Sequence, residues 1–386
     1  MTGAINRTIV LLSLAAFASA ASMRLMDALL FRVSDSFGVG LASASNVVTV
    51  FAVAYGLLQL VMGPMGDRHG KLRVIAVACG AAAVSSLACA AAPGYATLLL
   101  ARAATGASCA CVIPLSMAWI GDVTPYESRQ GVLARFLLGQ IIGLSAGAAL
   151  GGIAAESGFW QWPFVALAAW FVAVGVALGR AAWRQPSGAH EAGGHLVANL
   201  LEVLRTPGVP LVVTTVFLEG VVLLGGLAFV ATHLHLARGA SMPVAGAMFF
   251  AVSAGGVVFA FFARRVVARL GEPRLAALGT VIITLSVLGI AWAPSLAAAP
   301  VSCFGAGLGF YMLHNTLQTN ATQMAPTRRG SAVALFASLF FLGQSLGVAT
   351  AGRLVEAIGS GWTLTVSALL VLPVGMGFAI ARARRR

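Results

Sequence analysis

Along its whole length the chain alternates long apolar runs with short polar turns, and the runs recur at the scale of a lipid bilayer. Crossing a hydrocarbon core of about 30 Å takes roughly 20 mostly apolar residues in a helix. Twelve runs of this kind begin near Thr8, Ser43, Leu72, Ala96, Gly131, Phe159, Val209, Pro243, Arg274, Ala299, Ser331 and Thr363. Lipid gives the backbone no hydrogen-bond partners, so runs this long are helices and not strands. The pattern predicts an all-α membrane protein: twelve transmembrane helices in two six-helix halves, residues 1–182 and 209–386, with residues 183–208 as a cytoplasmic linker. The first run is expected to remain in the protein. It is longer than the apolar stretch of a signal peptide, carries Arg24 and Asp27, and leads straight into the second span.

The linker opens with a flexible Pro-Ser-Gly-Ala-His-Glu-Ala-Gly-Gly stretch. It ends in a segment, His195 to Arg205, with apolar residues at 196, 197, 200, 201 and 204. That spacing is one face of a helix, expected to lie at the interface and join the halves, with docking of a regulator as the alternative.

The halves resemble each other at an offset of 201 residues. Arg68, Gly70 and Arg73 map onto Arg269, Gly271 and Arg274, Gly106 onto Gly307, and Pro125 onto Pro326. Leu138-Gly-Gln-Ile-Ile-Gly143 likewise matches Leu342-Gly-Gln-Ser-Leu-Gly347. Six spans per half in one orientation make a parallel repeat, which places substrate between the halves near the midplane. The second copy lacks the acid of the first, since Ala268 stands where Asp67 does.

Composition narrows the classes. With 59% of 386 residues hydrophobic and 9% charged, almost no mass is left for a soluble domain. A formal charge of +13 could point to nucleic acid, but of the 24 Lys and Arg residues 18 fall on the side that holds both termini. Three (Arg32, Arg238, Arg353) fall on the other side and three lie within spans. Cytoplasmic loops carry the basic excess, so both termini are expected in the cytoplasm and the charge is a topology signal. The five cysteines all fall in predicted spans and are expected to be small buried thiols. Cys109 and Cys111, two apart, point to different helix faces and make no metal pair.

Gly63-Pro-Met-Gly-Asp67-Arg68-His-Gly70-Lys71 is a charged turn after the second apolar run. It resembles the loop signature of the major facilitator superfamily, a family of twelve-span secondary transporters. Arg102-Ala-Ala-Thr-Gly106 resembles a second signature of that family, in its fourth span. The resemblance implies alternating access. It also implies that Asp67 and Lys71 form a charge network with Asp122 at the end of span 4, and meet the end of span 11 in the outward-open state. An acid there would face the positive end of a helix.

Span 5 carries Gly139, Gly143, Gly147 and Gly151, each four apart, then Gly152. Glycines on one helix face let a neighbouring backbone approach closely, which predicts a packing seam. The same stretch resembles the fifth-span signature of proton-coupled drug exporters, with Ala148 where that signature has proline.

Charged groups inside the membrane are costly and mark function. Arg24 and Asp27, three apart, can pair on one face, and Arg102 is a candidate for coupling. Glu219 has only apolar sequence neighbours. A paired carboxylate keeps its charge, whereas a buried one without a partner favours the neutral form, so Glu219 is expected to carry protons. An electroneutral network of Arg24, Asp27, Arg102 and Glu219 is the alternative. In span 10, Tyr311, His314, Asn315 and Gln318 follow i, i+3, i+4, i+7 spacing and form a polar stripe expected to face the substrate cavity. Tyr55, Gln59, Gln140 and Gln344 are further candidates for that cavity.

No nucleophile–base spacing, metal cluster or nucleotide-binding loop appears, so neither an enzyme, a metal site nor a cofactor is expected. The remaining alternatives to proton-coupled export of a small organic compound are uptake or facilitated diffusion of a metabolite, and a transporter-like sensor. Expected partners are the substrate, protons and the bilayer, with no nucleic acid and a monomeric chain. Arginine and alanine richness places it in a bacterial inner membrane.

Single cysteines at positions 69, 188 and 386 should react with an impermeant maleimide only from the cytoplasmic face, and those at 36 and 238 only from the outer face. An outward C-terminus would overturn the orientation.

Overall fold

The computed structural model describes residues 3–183, 196–293 and 295–384. Apart from turns, the described residues are helical. Among the described residues, eleven helical stretches are long and apolar enough to cross a membrane. Spans 1 to 6 are Gly3–Ala28, Leu41–Met62, Lys71–Ala90, Tyr95–Val123, Gly131–Ala155 and Trp162–Trp183. Span 7 is Val209–Arg238, and spans 10 to 12 are Leu296–Gln323, Arg329–Ile358 and Ser360–Ala383. Met242–Trp292 is continuous over 51 residues, roughly 76 Å at 1.5 Å per residue, too long for one crossing. It breaks at Gly271, whose φ of 71° is left-handed, so it supplies spans 8 and 9 and the crossings number twelve.

The internal repeat is carried in backbone conformation as well as in sequence. Gly271 is the counterpart of Gly70, itself at φ 88°, and Gly38 at φ 61° is the counterpart of Gly239 at φ 67°. Only glycine adopts these angles without strain. The two far-side turns are also closed alike, by Ser34 Oγ donating to the Val39 carbonyl (2.6 Å) and by His235 Nδ1 to the Ala240 carbonyl (2.8 Å).

The span 5 glycines form a seam. A Cβ at Gly139, Gly143, Gly147 or Gly151 would run into the carbonyls of Ser13, Phe17, Ala21 and Leu25, which are themselves four apart on span 1. Gly152 turns instead to span 8, at the Met242 carbonyl. Ala148 is buried where Gly246 of span 8 meets its carbonyl. In the second half, Gly343 and Gly347 of span 11 lie against the carbonyls of Phe217 and Val221 on span 7.

The stretch 184–195 lies outside the described residues, and the linker helix is Leu196–Arg205. Its buried anchor is Val203, which the expected face omitted. Val203 and Leu200 pack with Val209, Val213, Ala332 and Leu335, and Glu202 bonds Arg328 at 3.2 Å. Leu201 and Leu204 stay exposed. The helix is rotated towards the second half because that half supplies both an apolar cluster and a cation.

Gly147→Val should lower the thermal midpoint in detergent by the equivalent of roughly 1–3 kcal/mol, the usual cost of overpacking. Gly80→Ala, where nothing lies within 4 Å of a new Cβ, should leave it unchanged.

Candidate functional site: a buried acid–histidine pair in the second half

Glu219 lies near the middle of span 7, and its side chain is fully buried. Its sequence neighbours supply no base, but span 10 does: His314 Nδ1 lies 2.8 Å from Glu219 Oε2. An ionised Glu219 accepts a proton-mediated bond from Nδ1–H, and a protonated one donates to a bare Nδ1. Glu219 Oε1 is buried with no hydrogen-bond partner. The helix changes pitch directly after this residue, with a π-helical turn at Gly220–Leu224. Such turns recur at functional sites. A Cβ at Gly220 would meet the backbone of Phe340 and Gln344, and Ser367 Oγ of span 12 donates to the Val222 carbonyl inside the turn.

Aromatic rings enclose the histidine. Phe310 stacks on it at 5.0 Å between centroids, Phe340 lies at 4.5 Å and Phe336 at 5.6 Å. Phe340 also touches Phe341, which packs against Tyr55 of span 2 at 4.4 Å. A continuous aromatic path therefore runs from Glu219 in one half to span 2 in the other. The span 10 stripe is oriented as its spacing requires: Met312, Leu313, Thr316 and Leu317 are buried on the opposite face, while Tyr311, His314, Asn315 and Gln318 keep access. Gln344 is buried behind the π turn with Oε1 unpartnered. Gln140 is half-buried on span 5.

The other intramembrane charges sit in the first half. Arg24 Nη1 and Asp27 Oδ2 pair at 2.8 Å, with Asp27 fully buried. The Arg24 guanidinium lies over the Phe249 ring of span 8, 5.4 Å from its centroid. Among the described residues Arg102 makes no ion pair at contact distance. It donates to the carbonyls of Val47 (3.3 Å) and Ser22 (3.2 Å) and covers the Phe51 ring at 4.4 Å, fastening spans 1, 2 and 4. The four charged residues therefore form no single network. Arg24 with Asp27 and Glu219 with His314 are separate pairs, because the second acid finds its base within its own half.

Near the termini-side ends of the spans, a cavity of about 680 Å³ lies between the halves. Gln59, Asp67 and Lys71 line it from one half, and Thr322, Gln323, Arg329 and Val333 from the other. Lys71 bridges Asp67 (3.2 Å) and Asp122 (2.8 Å). Gly63 and Arg68 belong to the end of the helix Asn46–His69 that presents this turn. No ion pair or hydrogen bond among the described residues joins Asp67 or Asp122 to span 11; Arg329 faces them across the cavity. The molecule is open to the side that carries its termini. The second copy of the turn inverts the charge. Glu272 occupies the position of Lys71 and bonds Asn320 of span 10 (3.4 Å) and Arg382 of span 12 (3.2 Å).

Twelve spans in two repeated halves, with a cleft between them on one face, make a membrane transporter. Residues 12–348 match the Major Facilitator Superfamily, and the chain belongs to that family. It is 24% identical over 341 residues to YceJ, an uncharacterized MFS-type transporter of Bacillus subtilis, covering 86% of this chain and 85% of that one. It is 27% identical over 162 residues to the multidrug export protein EmrB of Haemophilus influenzae, covering 42% of this chain and 32% of that one. A similar partial match, 28% over 128 residues, joins 33% of this chain to 23% of the MFS-type transporter paaT of Penicillium rubens. In fold it resembles a bacterial homologue of the human lysosomal transporter Spinster in an inward-facing, occupied conformation. The TM-score is 0.80 at 16% identity, over 100% of this chain and 98% of that one. It also resembles a D-xylose–proton symporter, with a TM-score of 0.73 at 17% identity over 97% of each.

His314→Phe should destabilise the folded protein by about 3 kcal/mol, because it leaves a buried carboxylate without its partner. Adding Glu219→Gln should restore much of the loss in a double-mutant cycle of thermal midpoints. Strict additivity would mean that the two side chains do not interact.

Proposed function

We propose that this transporter is a secondary active exporter that works by alternating access and exchanges a small organic compound for protons. The observation that carries the reading is the Glu219–His314 pair: an acid and a base in contact inside the second half, fully buried on the acid side. Such a pair holds or releases one proton with little movement, since either atom can carry it. In the state open to the termini side, taken as the cytoplasm, Glu219 gives up its proton and the aromatic cluster of Phe310, Phe336, Phe340 and Phe341 receives an apolar compound. After the halves rock to the outer-open state, protonation from outside restores the neutral acid and the compound leaves. A ligand that binds one protonation state better shifts the balance between conformations by that difference in affinity.

Arg24 and Asp27 have a different task in this scheme. Their pairing fixes the end of span 1 against span 8, where the Arg24 guanidinium lies over the Phe249 ring, so they bear on the shape of the cavity more than on proton traffic. Asp67, Lys71 and Asp122 form the cytoplasmic gate. On closing, Asp67 meets the N-terminus of span 11 and Arg329, where the helix end and the guanidinium both favour a negative charge. The membrane is the cytoplasmic membrane, with both chain ends inside. The similarity to the multidrug export protein EmrB supports export. The same machinery run inward, as the name of the D-xylose–proton symporter describes for that protein, is the second reading.

Glu219→Gln mimics a permanently protonated acid. It should still bind and exchange substrate across the membrane, yet lose at least 10-fold in accumulation driven by a pH gradient in inverted vesicles. Asp27→Asn, which strands Arg24, should instead lower folding yield or substrate binding. Substrate-induced proton release measured with a pH-sensitive dye in detergent decides between the acids. Release that survives in Glu219→Gln and vanishes in Asp27→Asn would reverse the assignment.

A further inference from the structure

Opposite the cleft, the halves are joined by two contacts of the same design. Glu356, at the far-side end of span 11, accepts a hydrogen bond from the backbone N–H of Ala42 at 2.7 Å. Glu156, just past the far-side end of span 5, accepts one from the backbone N–H of Met242, also at 2.7 Å. Ala42 is the second residue after the N-cap Gly40 of span 2, and Met242 the first after the N-cap Ser241 of span 8. Each carboxylate therefore caps the first turn of a helix in the opposite half, where N–H groups have no partner within the helix and the dipole favours negative charge.

One turn before each glutamate stands a glycine, so that Gly152-Ile-Ala-Ala-Glu156 and Gly352-Arg-Leu-Val-Glu356 repeat at an offset of 200 residues. A Cβ on Gly152 would meet the Met242 carbonyl, and one on Gly352 would lie 2.6 Å from Ser45 Oγ and 3.1 Å from the Ala42 Cα. At Gly40 a Cβ would lie 2.6 Å from Glu356 Oε1. The glycines let the helix end come close, and the glutamates then bind it.

We infer that these two Gly-x-x-x-Glu elements are a reciprocal latch that holds the far side shut while the cleft is open. Separating the halves on that side must break both bonds together, since each runs from one half to the other. Losing them leaves the first turns of two helices without their acceptors. The latch therefore sets the balance between the two states, and it does so without touching the substrate cavity or the Glu219–His314 pair. It rests on alternating access but not on proton coupling.

The test needs neither substrate nor a pH gradient. Ser45→Cys places a thiol at a fully buried position beneath the latch, and Ala334→Cys places one on the cleft wall. All five native cysteines are buried, and the chain without a reporter gives the background. In nanodiscs, the maleimide reaction at position 45 should quicken on the order of 10-fold when Glu156→Ala and Glu356→Ala are combined. That corresponds to about 1.4 kcal/mol, just below what one hydrogen bond to a charged group contributes, as expected for exposed carboxylates. Each single variant should give less, and Glu156→Gln with Glu356→Gln, which keeps an acceptor but removes the charge, should fall between. Labelling at position 334 should slow in the same variants, and Glu202→Gln should change neither. Unchanged rates in a double variant that melts cooperatively overturn the latch, as does a rise at position 45 with no fall at 334, which is local fraying of the helix ends. Should the double alanine variant not be recovered folded, the glutamine pair decides by the same two rates.

Discussion

Helices in hydrocarbon gain nothing by hiding apolar side chains from lipid, and this molecule meets that constraint by bringing backbones into direct contact. Gly106 of span 4 lies on the Phe51 carbonyl of span 2, and its repeat partner Gly307 lies on the Val252 carbonyl of span 8. The span 1–5 and span 7–11 seams are built the same way. Close backbone approach leaves little slack for sliding at these seams. The polar groups of the interior can then be positioned by rigid elements instead of loops, which is what a site held to fractions of an ångström needs.

Within that frame the intramembrane charges divide by task. Arg102 donates from Nε and Nη1 to two carbonyls and lays its face on Phe51, and so binds three helices of the first half to one another. Arg24 and Asp27 neutralise each other within a single turn. Glu219 alone combines complete burial, an unpartnered oxygen, a titratable partner and a change of helix pitch beside it. The aromatic path from His314 through Phe340 and Phe341 to Tyr55 crosses from one half to the other.

The two faces of the membrane are governed by different chemistry. On the termini side, long flexible side chains meet one another: Lys71 with Asp67 and Asp122, and in the second half Glu272 with Arg382. The charge inversion between Lys71 and Glu272 keeps one architecture while making the two turns distinguishable to whatever closes on them. On the far side, carboxylates meet helix ends and small residues, a geometry that demands close approach and is lost after a small separation.

Much of the architecture was written in local periodicity. The number of spans follows from run length and the repeat from recurrence at an offset of 201 residues, while the glycine ladder at intervals of four and the ion pair Arg24–Asp27 depend on residues within one or two turns of each other. Helix geometry converts such spacing directly into proximity. The polar stripe of span 10 was legible for the same reason. The Val203 anchor was not, because the face a short helix buries is chosen by what it docks against. The partner of Glu219 lies 95 residues away, and the partner of Glu356 lies 314 residues away. Which helices become neighbours, and how each is rotated about its axis, is decided only when the halves pack. Periodicity places a side chain on a face of its own helix, but only tertiary structure determines what that face meets.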